Sequence, residues 1–352
     1  MTTAPSGRRH TPRAHHGLRT HREVRLAARP APGAPLTDDL FEIAEGPVPS
    51  PEPGQLLVRT EVMSVAAVMR TLMDETTSVP MRSFALGEPL YGPAIGEVVS
   101  APGTGFAPGD LVQHDLGWRE YALVDASAAQ HVDPGLLPDP AAYLSQGPTA
   151  WMGVTRGAEV RPGDTVFVSG AAGGVGSLAG QAARLRGARR VIGSAGSQRK
   201  ADILRKELGY DAVVLRGAGP IEEQLRAAAP EGVDAVIDNV GGEQLQASIA
   251  VANRGARIAL VGALGAQLAD SGSPTTAIDT FSLLTRGITL RGTVLHADHL
   301  DLIPEWYQQF GAGLRAGTLT FPHSRLHGLD SAPRALRELV EGCHVGAVLV
   351  EL

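Results

Sequence analysis

The first part of the chain alternates between apolar and polar residues over short runs. Residues 55–60 and 95–99 show such runs, and turn dipeptides such as Pro102-Gly103 and Pro108-Gly109 separate them. This pattern is typical of short β-strands joined by tight turns, an arrangement that closes into a small barrel. We therefore predict an all-β domain up to about residue 148.

After residue 148 the pattern changes to strand, turn and helix in repeated order. We predict strands at residues 165–169, 190–194, 211–215, 233–238, 256–261 and 288–292. We predict the intervening helices at residues 178–185, 199–208, 221–229 and 242–251. This alternation implies a doubly wound parallel sheet.

The last part of the chain shows two helical patterns, at residues 300–316 and 331–341, and a final strand at 347–351. The six-stranded sheet is already complete by residue 292. We therefore expect this last part to return to the first domain.

A glycine-rich turn lies at residues 169–177, between an apolar run and the start of a predicted helix. A dinucleotide site needs a tight turn, close approach of the backbone to a pyrophosphate, and close helix–strand packing. The small residues Ala171, Gly173 and Gly176 meet those demands, and the helix N-terminus would favour the pyrophosphate charge. We predict a dinucleotide site here; a purely structural turn is the alternative.

The end of the second predicted strand indicates which dinucleotide binds. No acidic residue stands there to hold a ribose 2′-hydroxyl; Ser197, Arg199 and Lys200 stand there instead. Because a 2′-phosphate needs charge-assisted donors, we predict NADP(H). The alternative is that both cations are solvated residues of a helical first turn. Arg216, after the third strand, is either a further cation at this edge or a surface arginine.

Composition narrows the class of protein. The 352 residues are 43% hydrophobic, which predicts a soluble chain of about two domains. A net charge of −6 argues against a nucleic-acid surface, and no apolar run approaches the roughly 20 residues that span a membrane. Cys343 is the one cysteine, so a disulfide framework and a four-cysteine zinc site are excluded. The 11 histidines leave a histidine-only zinc site open.

Residues 1–22 are rich in Arg and His and lack the apolar stretch of a secretory signal. A disordered tail, a start assigned too early and a basic binding arm are the three interpretations.

Motifs along the chain resemble a known family. They are Ser64-Val65 with Met69-Arg70, residues 96–99, 117–121 and 149–151, the glycine-rich turn, Gly196-Ser197 with Lys200, residues 238–242 and 261–263, and Gly328-Leu329 with Ala332-Pro333. In this order they resemble the zinc-independent medium-chain dehydrogenases/reductases, in the branch of the prostaglandin reductases, leukotriene hydroxydehydrogenases and plant double-bond reductases. The resemblance runs from about residue 24 onward.

The resemblance implies an α/β fold with a Rossmann-type doubly wound parallel sheet and a GroES-like β-barrel domain. We predict a basic tail at 1–22, the GroES-like catalytic domain at 23–148 and 293–352, and the NADP-binding domain at 149–292. It also implies a homodimer. From the net charge and the lack of a long apolar run we expect no nucleic-acid or membrane partner, and we predict a cytoplasmic location. Hydride would pass from NADPH to the β-carbon of an α,β-unsaturated ketone or aldehyde, a small electrophilic substrate.

The predicted cofactor residues combine the motifs with the resemblance. The resemblance implies that Gly174 and Val175 contact the pyrophosphate and that Thr149 and Asn239 lie beside the cofactor. It also implies that Lys200 is a 2′-phosphate ligand. The full set is Thr149, Gly173, Gly174, Val175, Gly176, Ser197, Lys200, Arg216, Asn239 and Gly262.

The substrate side departs from the family pattern. The chain has Ala66-Ala67-Val68 where the family has Asp-Pro-Tyr, Gln267 where a tyrosine is usual, and His344 where an asparagine is usual. Tyr91 stands where an arginine is common. The motifs of the cofactor-binding half therefore match the family well, whereas those of the substrate-binding half do not.

Negative charge develops on the substrate carbonyl oxygen during hydride transfer, so donors aimed at that oxygen lower the barrier. We predict Tyr91, Gln267 and His296 as candidates. The alternatives are that Tyr91 caps the barrel core, that Gln267 is a loop residue and that His296 lies on the surface. Backbone amides or a cofactor hydroxyl would then donate the hydrogen bond to the substrate carbonyl oxygen. An NADPH quinone reductase and a nucleotide-binding protein with little catalytic activity are the alternative functions.

Overall fold

The computed structural model describes residues 20–31, 33–77, 79–263, 275–295 and 300–352. The first part folds mainly as antiparallel strands, as the alternation predicts. They are β1 (Thr20–Leu26), β2 (Phe41–Pro47), β3 (Gln55–Val65), β4 (Ala94–Ser100), β5 (Leu111–His114), β6 (Tyr121–Asp125) and β7 (Gln130–His131). A short helix that the alternation does not predict, α1 (Val68–Leu72), follows β3.

The second part forms the predicted parallel sheet. Its strands are β8 (Thr165–Val168), β9 (Arg190–Ala195), β10 (Ala212–Leu215), β11 (Val233–Asp238), β12 (Ala252–Leu260) and β13 (Thr289–Gly292). Its helices are α2 (Gly147–Met152), α3 (Gly174–Leu185), α4 (Gln198–Glu207), α5 (Ile221–Ala228), α6 (Gly242–Val251) and α7 (Thr280–Arg286). A π-helical turn, Gly153–Gly157, extends α2.

The strand order β10-β9-β8-β11-β12-β13 confirms the doubly wound topology. The chain winds outward in one direction from β8 and in the other from β11, so the switch point lies between these two strands. All residues of β8 are buried, because helices cover both faces of a parallel sheet. Ligands of such sheets bind where the two central strands end at their carboxyl edge.

The remaining elements are α8 (Leu302–Ala316), β14 (His323–His327), α9 (Ala332–Val340) and β15 (Ala347–Glu351). Strand β15 lies antiparallel to β3, and β14 is parallel to β15 at the edge of that sheet. The full order is β14-β15-β3-β4-β5-β7, with β6 also paired to β3. The predicted domain boundaries stay a prediction.

One hydrophobic cluster joins the two sheets. It contains Val62 and Leu349 from the antiparallel sheet and Val166 and Ile237 from the parallel sheet. Helix α8 adds Trp306, whose ring stacks on that of Phe310 at a centroid distance of 4.7 Å. The two sheets therefore share one hydrophobic core. Within the described residues, none of the helices is long and apolar enough to cross a membrane.

Candidate active site

The glycine-rich turn has a closed side and an open side. A Cβ added at Gly176 would collide with the carbonyl oxygen of Gly170 and approach Ala171 Cα to 2.6 Å, so only glycine lets α3 pack this closely. A Cβ added at Gly173 would meet only the Gly170 carbonyl oxygen, at 3.4 Å. The open side at Gly173 and the N-terminus of α3 together fit a pyrophosphate.

The segment before β15 is fixed against this turn. Gly346 donates its N–H to the carbonyl oxygen of Ala172 at 2.9 Å, and Gly173 and Gly346 form a β-bridge. Gly346 has φ +78°, and a Cβ there would collide with the Pro322 carbonyl oxygen. The antiparallel sheet is thus attached directly to the turn.

A buried carboxylate joins the ends of the two central strands. Asp238 accepts hydrogen bonds from the Ser169 hydroxyl at 2.6 Å and from the Gly241 N–H at 3.0 Å. Burial raises the pKa of Asp238, whereas the Ser169 hydrogen bond acts to lower it. Asn239 donates its N–H to the Ser169 hydroxyl at 2.8 Å and its Nδ2 to the Ser169 carbonyl oxygen at 2.7 Å. This network holds Asn239 at the switch point.

Gly262 lies on the other side of Asn239. A Cβ added at Gly262 would stand 3.0 Å from the Asn239 carbonyl oxygen. The structure therefore brings Asn239, Gly262 and the glycine-rich turn together at the predicted cofactor edge. Thr149 lies in α2, which packs against α3, and Val175 is the second residue of α3.

Three cations gather at the end of β9. The Ser197 side chain caps α4 by accepting from the Lys200 N–H, and the Arg216 guanidinium lies over Gly196. Burial lowers the pKa of Lys200, and the charges of Arg199 and Arg216 lower it further. Within the described part of the chain, no salt bridge joins these three cations to a carboxylate. Such a cluster fits a phosphate dianion.

The C-terminal segment also reaches this cluster. Arg199 donates from Nη2 to the Cys343 carbonyl oxygen at 2.9 Å. His344 pairs through Nε2 with Glu338 at 3.0 Å. His344, which stands in place of the usual asparagine, is therefore paired with a residue of the preceding helix α9.

Of the three predicted oxyanion donors, Tyr91 lies within the described residues. Tyr91 donates its hydroxyl to the Arg82 carbonyl oxygen, and its ring packs edge-on against Phe84 at 5.0 Å. Burial raises the pKa of Tyr91. This is the arrangement expected of a residue that caps the barrel core. Gln267 and His296 lie outside the described residues.

Gln146 is a polar residue between the antiparallel sheet and the glycine-rich turn that the sequence analysis did not select. It directly precedes α2, and its Nε2 donates to the Ser64 hydroxyl of β3 at 3.4 Å. Its Oε1 is buried next to Gly174, so that a Cβ added at Gly174 would collide with it. A signal was present: Gln146 stands three residues before Thr149, in a segment of otherwise small or apolar side chains.

The segment that replaces Asp-Pro-Tyr carries no polar side chain. Ala66 and Ala67 lie between β3 and α1, Val68 is the first residue of α1, and all three are half-buried. Within the described ranges, no three His, Cys, Asp or Glu side chains come together as a group that could hold a metal ion.

Two family models match the chain. The model described as the N-terminal domain of oxidoreductases matches residues 22–132, and the model described as zinc-binding dehydrogenase matches residues 174–310. The metal in the second description is part of the name of that family model and is not an observation on this chain.

Curated relatives match over nearly the whole chain. YfmJ of Bacillus subtilis, which is named as an NADP-dependent oxidoreductase, is 36% identical over 95% of this chain and 98% of its own. The NADPH-dependent curcumin reductase of Escherichia coli is 30% identical over 93% of this chain and 95% of its own. The NADP-dependent 2-alkenal reductase of Nicotiana tabacum is 30% identical over 84% and 86%.

A solved structure matches the fold. CurA from Vibrio vulnificus, in complex with NADPH, superposes with a TM-score of 0.85 at 29% identity, over 94% of this chain and 98% of that one. The mixed fold with a Rossmann-type sheet and a separate antiparallel domain is thereby confirmed, as is the resemblance read from the motifs. The chain belongs to the medium-chain dehydrogenase/reductase superfamily, among its NADP-dependent reductases.

Proposed function

We propose that this protein uses NADPH to reduce the C=C bond of α,β-unsaturated ketones or aldehydes, without zinc. The observation that carries the proposal is an open glycine-rich turn near a cluster of three cations that, among the described residues, form no salt bridge to a carboxylate. Relatives named as alkenal, curcumin and pulegone reductases support the reaction class.

NADP(H) is the cofactor that these residues fit. Lys200, Arg199 and Arg216 offer the charged donors that a 2′-phosphate needs. The α3 N-terminus offers backbone N–H groups to the pyrophosphate. When bound, the reduced cofactor supplies a hydride to the substrate β-carbon.

The protein's own part is to bind, to orient and to stabilise charge. Asp238 and Ser169 hold Asn239 rigidly beside the cleft, so that the nicotinamide half has a fixed wall. The half-buried small residues at 66–68 leave an apolar surface for the substrate. Because Tyr91 already donates to a carbonyl oxygen, it must exchange that partner before it can act on a substrate oxygen. A backbone N–H or a water molecule therefore supplies the oxyanion contact or the final proton if Tyr91 keeps its partner.

We further propose that the active form is a cytoplasmic homodimer. Among the described strands, β13 forms one edge of the parallel sheet, and the preceding helix α7 exposes Phe281 (71%) and Leu284 (76%). An open strand edge flanked by exposed large apolar side chains favours pairing with a second copy. The single cysteine of the chain is typical of a reducing compartment. Phe281→Glu with Leu284→Glu should convert a dimer, as measured by light scattering, into a monomer.

A steady-state panel tests the reaction. NADPH oxidation is measured with simple enals, cyclic enones and small quinones at equal concentration, before and after exhaustive chelation. We expect turnover with enals or enones and no loss on chelation. Turnover confined to quinones would identify a quinone reductase, and tight NADPH binding without turnover would identify a binding protein.

A further inference from the structure

The side chain of Gln146 connects the two halves of the molecule. Its Nε2 donates to Ser64 in the antiparallel sheet, and its Oε1 lies against Gly174, the first residue of α3. These two contacts lie 82 residues before and 28 residues after Gln146 in the chain. The carboxamide therefore stands between the antiparallel sheet and the glycine-rich turn.

The oxygen of this carboxamide is an unused acceptor. Gln146 Oε1 is buried and has no hydrogen-bond partner among the residues that the structure describes. Nearly all buried polar atoms in folded proteins find a partner, so an exception at a ligand cleft points to a group that arrives with the ligand. A buried acceptor is satisfied only by a hydrogen-bond donor.

Further unpaired polar atoms surround the same helix turn. Ser145 Oγ, Trp151 Nε1 and Trp306 Nε1 are also buried without partners in the described structure. The Trp306 indole presses against Gly147, the first residue of α2, and lies 5.9 Å from the Trp151 ring between centroids. The start of α2 is thus firmly packed against the Trp306 indole, and Gln146 directly precedes this packed residue.

Only some groups of the cofactor can donate a hydrogen bond to Gln146 Oε1. The pyrophosphate expected at the α3 N-terminus carries only acceptor oxygens and cannot donate to a carboxamide oxygen. The nicotinamide riboside half does carry donors, namely the ribose hydroxyls and the carboxamide NH₂. Thr149, a predicted cofactor contact, follows Gln146 by three residues on the same helix turn.

We propose that Gln146 is a positioning residue that accepts a hydrogen bond from the nicotinamide riboside half of NADPH, while its Nε2 stays on Ser64. The bond ties the antiparallel sheet to the half of the cofactor that carries the hydride. It thereby fixes the nicotinamide relative to the substrate side of the cleft. The proposal rests on the proposed function only in that NADPH is the cofactor, and it does not depend on the substrate.

Binding measurements on the full chain test this proposal without any turnover. Calorimetry compares NADPH with 2′,5′-ADP, which carries the adenosine 2′-phosphate but no nicotinamide riboside. Gln146→Leu, which keeps the size of the side chain and removes its acceptor, should weaken NADPH binding about three- to tenfold, the range of one neutral hydrogen bond. The affinity for 2′,5′-ADP should not change.

A second ligand pair identifies the donor. If the loss seen with NADP⁺ disappears with its 3-acetylpyridine analogue, the donor is the carboxamide NH₂. If the loss persists, the donor is a ribose hydroxyl. Either result supports the proposal, because both donors belong to the nicotinamide riboside half.

Gln181→Leu is the matched control. Gln181 is a buried glutamine of α3 whose Nε2 and Oε1 both have partners, in Ser177 and Thr320. Its replacement should lower stability without any difference between NADPH and 2′,5′-ADP. If Gln146→Leu does not fold, Gln146→Met replaces it. Unchanged NADPH affinity, or an equal loss for both ligands, in the folded variant would overturn the proposal, whereas absent enone turnover would overturn only the proposed reaction.

Discussion

Ser169 donates its hydroxyl proton to the fully buried carboxylate of Asp238 across 2.6 Å, and this contact joins the ends of β8 and β11 at the switch point of the sheet. The same hydroxyl accepts the N–H of Asn239. A single serine therefore satisfies a buried carboxylate and sets the backbone beside the predicted nicotinamide site.

Ser169→Ala should lower the free energy of unfolding by about 1–3 kcal/mol, because it leaves the Asp238 carboxylate and the Asn239 N–H each short of a partner. It should also weaken NADPH binding, since Asn239 loses its support. Urea denaturation and calorimetry measure the two effects. The control is Ser282→Ala: Ser282 donates to Asp279 at the same 2.6 Å but on an exposed helix turn. That variant should change stability by about 0.5 kcal/mol or less, and an equal effect of both variants would contradict this account.

Lys200→Ala should reduce the preference for NADPH over NADH about tenfold or more, because a charge-assisted contact to the 2′-phosphate is lost. NADH affinity should hardly change. The wild-type preference should itself weaken as salt is added, since the charges of Arg199 and Arg216 are exposed. Lys206→Ala, on the last turn of the same helix, is the matched control. Equal NADH and NADPH affinities in the wild type would refute the assignment of this cluster.

Substitution of Gly176 should mainly affect folding stability, whereas substitution of Gly173 should mainly affect NADPH binding. Gly176→Val places atoms against the backbone of Gly170 and Ala171, so we expect a loss of about 1–3 kcal/mol in unfolding free energy, or more. Gly173→Val extends into the open side, so it should fold normally and lose NADPH. Thermal melts with and without NADPH distinguish the variants. Normal NADPH affinity in Gly173→Val would mean that the pyrophosphate lies elsewhere.

His114 should make stability depend on pH. The side chain is 2% exposed, and burial lowers its pKa from 6.5 to about 4. Below pH 6.5 the unfolded chain takes up a proton that the folded chain refuses, so stability falls as the pH drops towards 4. The slope approaches about 1.4 kcal/mol per pH unit.

His114→Asn removes this titration. In the wild type, His114 Nδ1 accepts a hydrogen bond from the Leu116 N–H at 3.1 Å, and the side-chain oxygen of the asparagine can still accept it. Urea denaturation at several pH values between 7 and 4 should therefore show a shallower slope in the variant. Parallel slopes for both proteins would show that His114 is not the group responsible.

Much of the parallel sheet was predictable because its buried strands read as continuous apolar runs. Strand β14 was missed because its residues, from His323 to His327, are mostly polar, as an edge strand permits. Strand β12 begins at Ala252 rather than at the predicted residue 256, because α6 runs into it without a loop. Side-chain partners were harder to predict. The Tyr91 hydroxyl is engaged by a backbone carbonyl, and Gln146 meets Ser64, which lies 82 residues away.

Isotope transfer tests the central claim most directly. The protein is incubated with NADPH that carries deuterium at both hydrogen positions of nicotinamide C4 and with an enal or enone that it turns over, and the product is analysed by mass spectrometry and NMR. We predict the saturated carbonyl compound, with one deuterium on the β-carbon and a solvent-derived proton on the α-carbon. Deuterium on the carbonyl carbon, giving an unsaturated alcohol, or no deuterium in any product, would contradict the account.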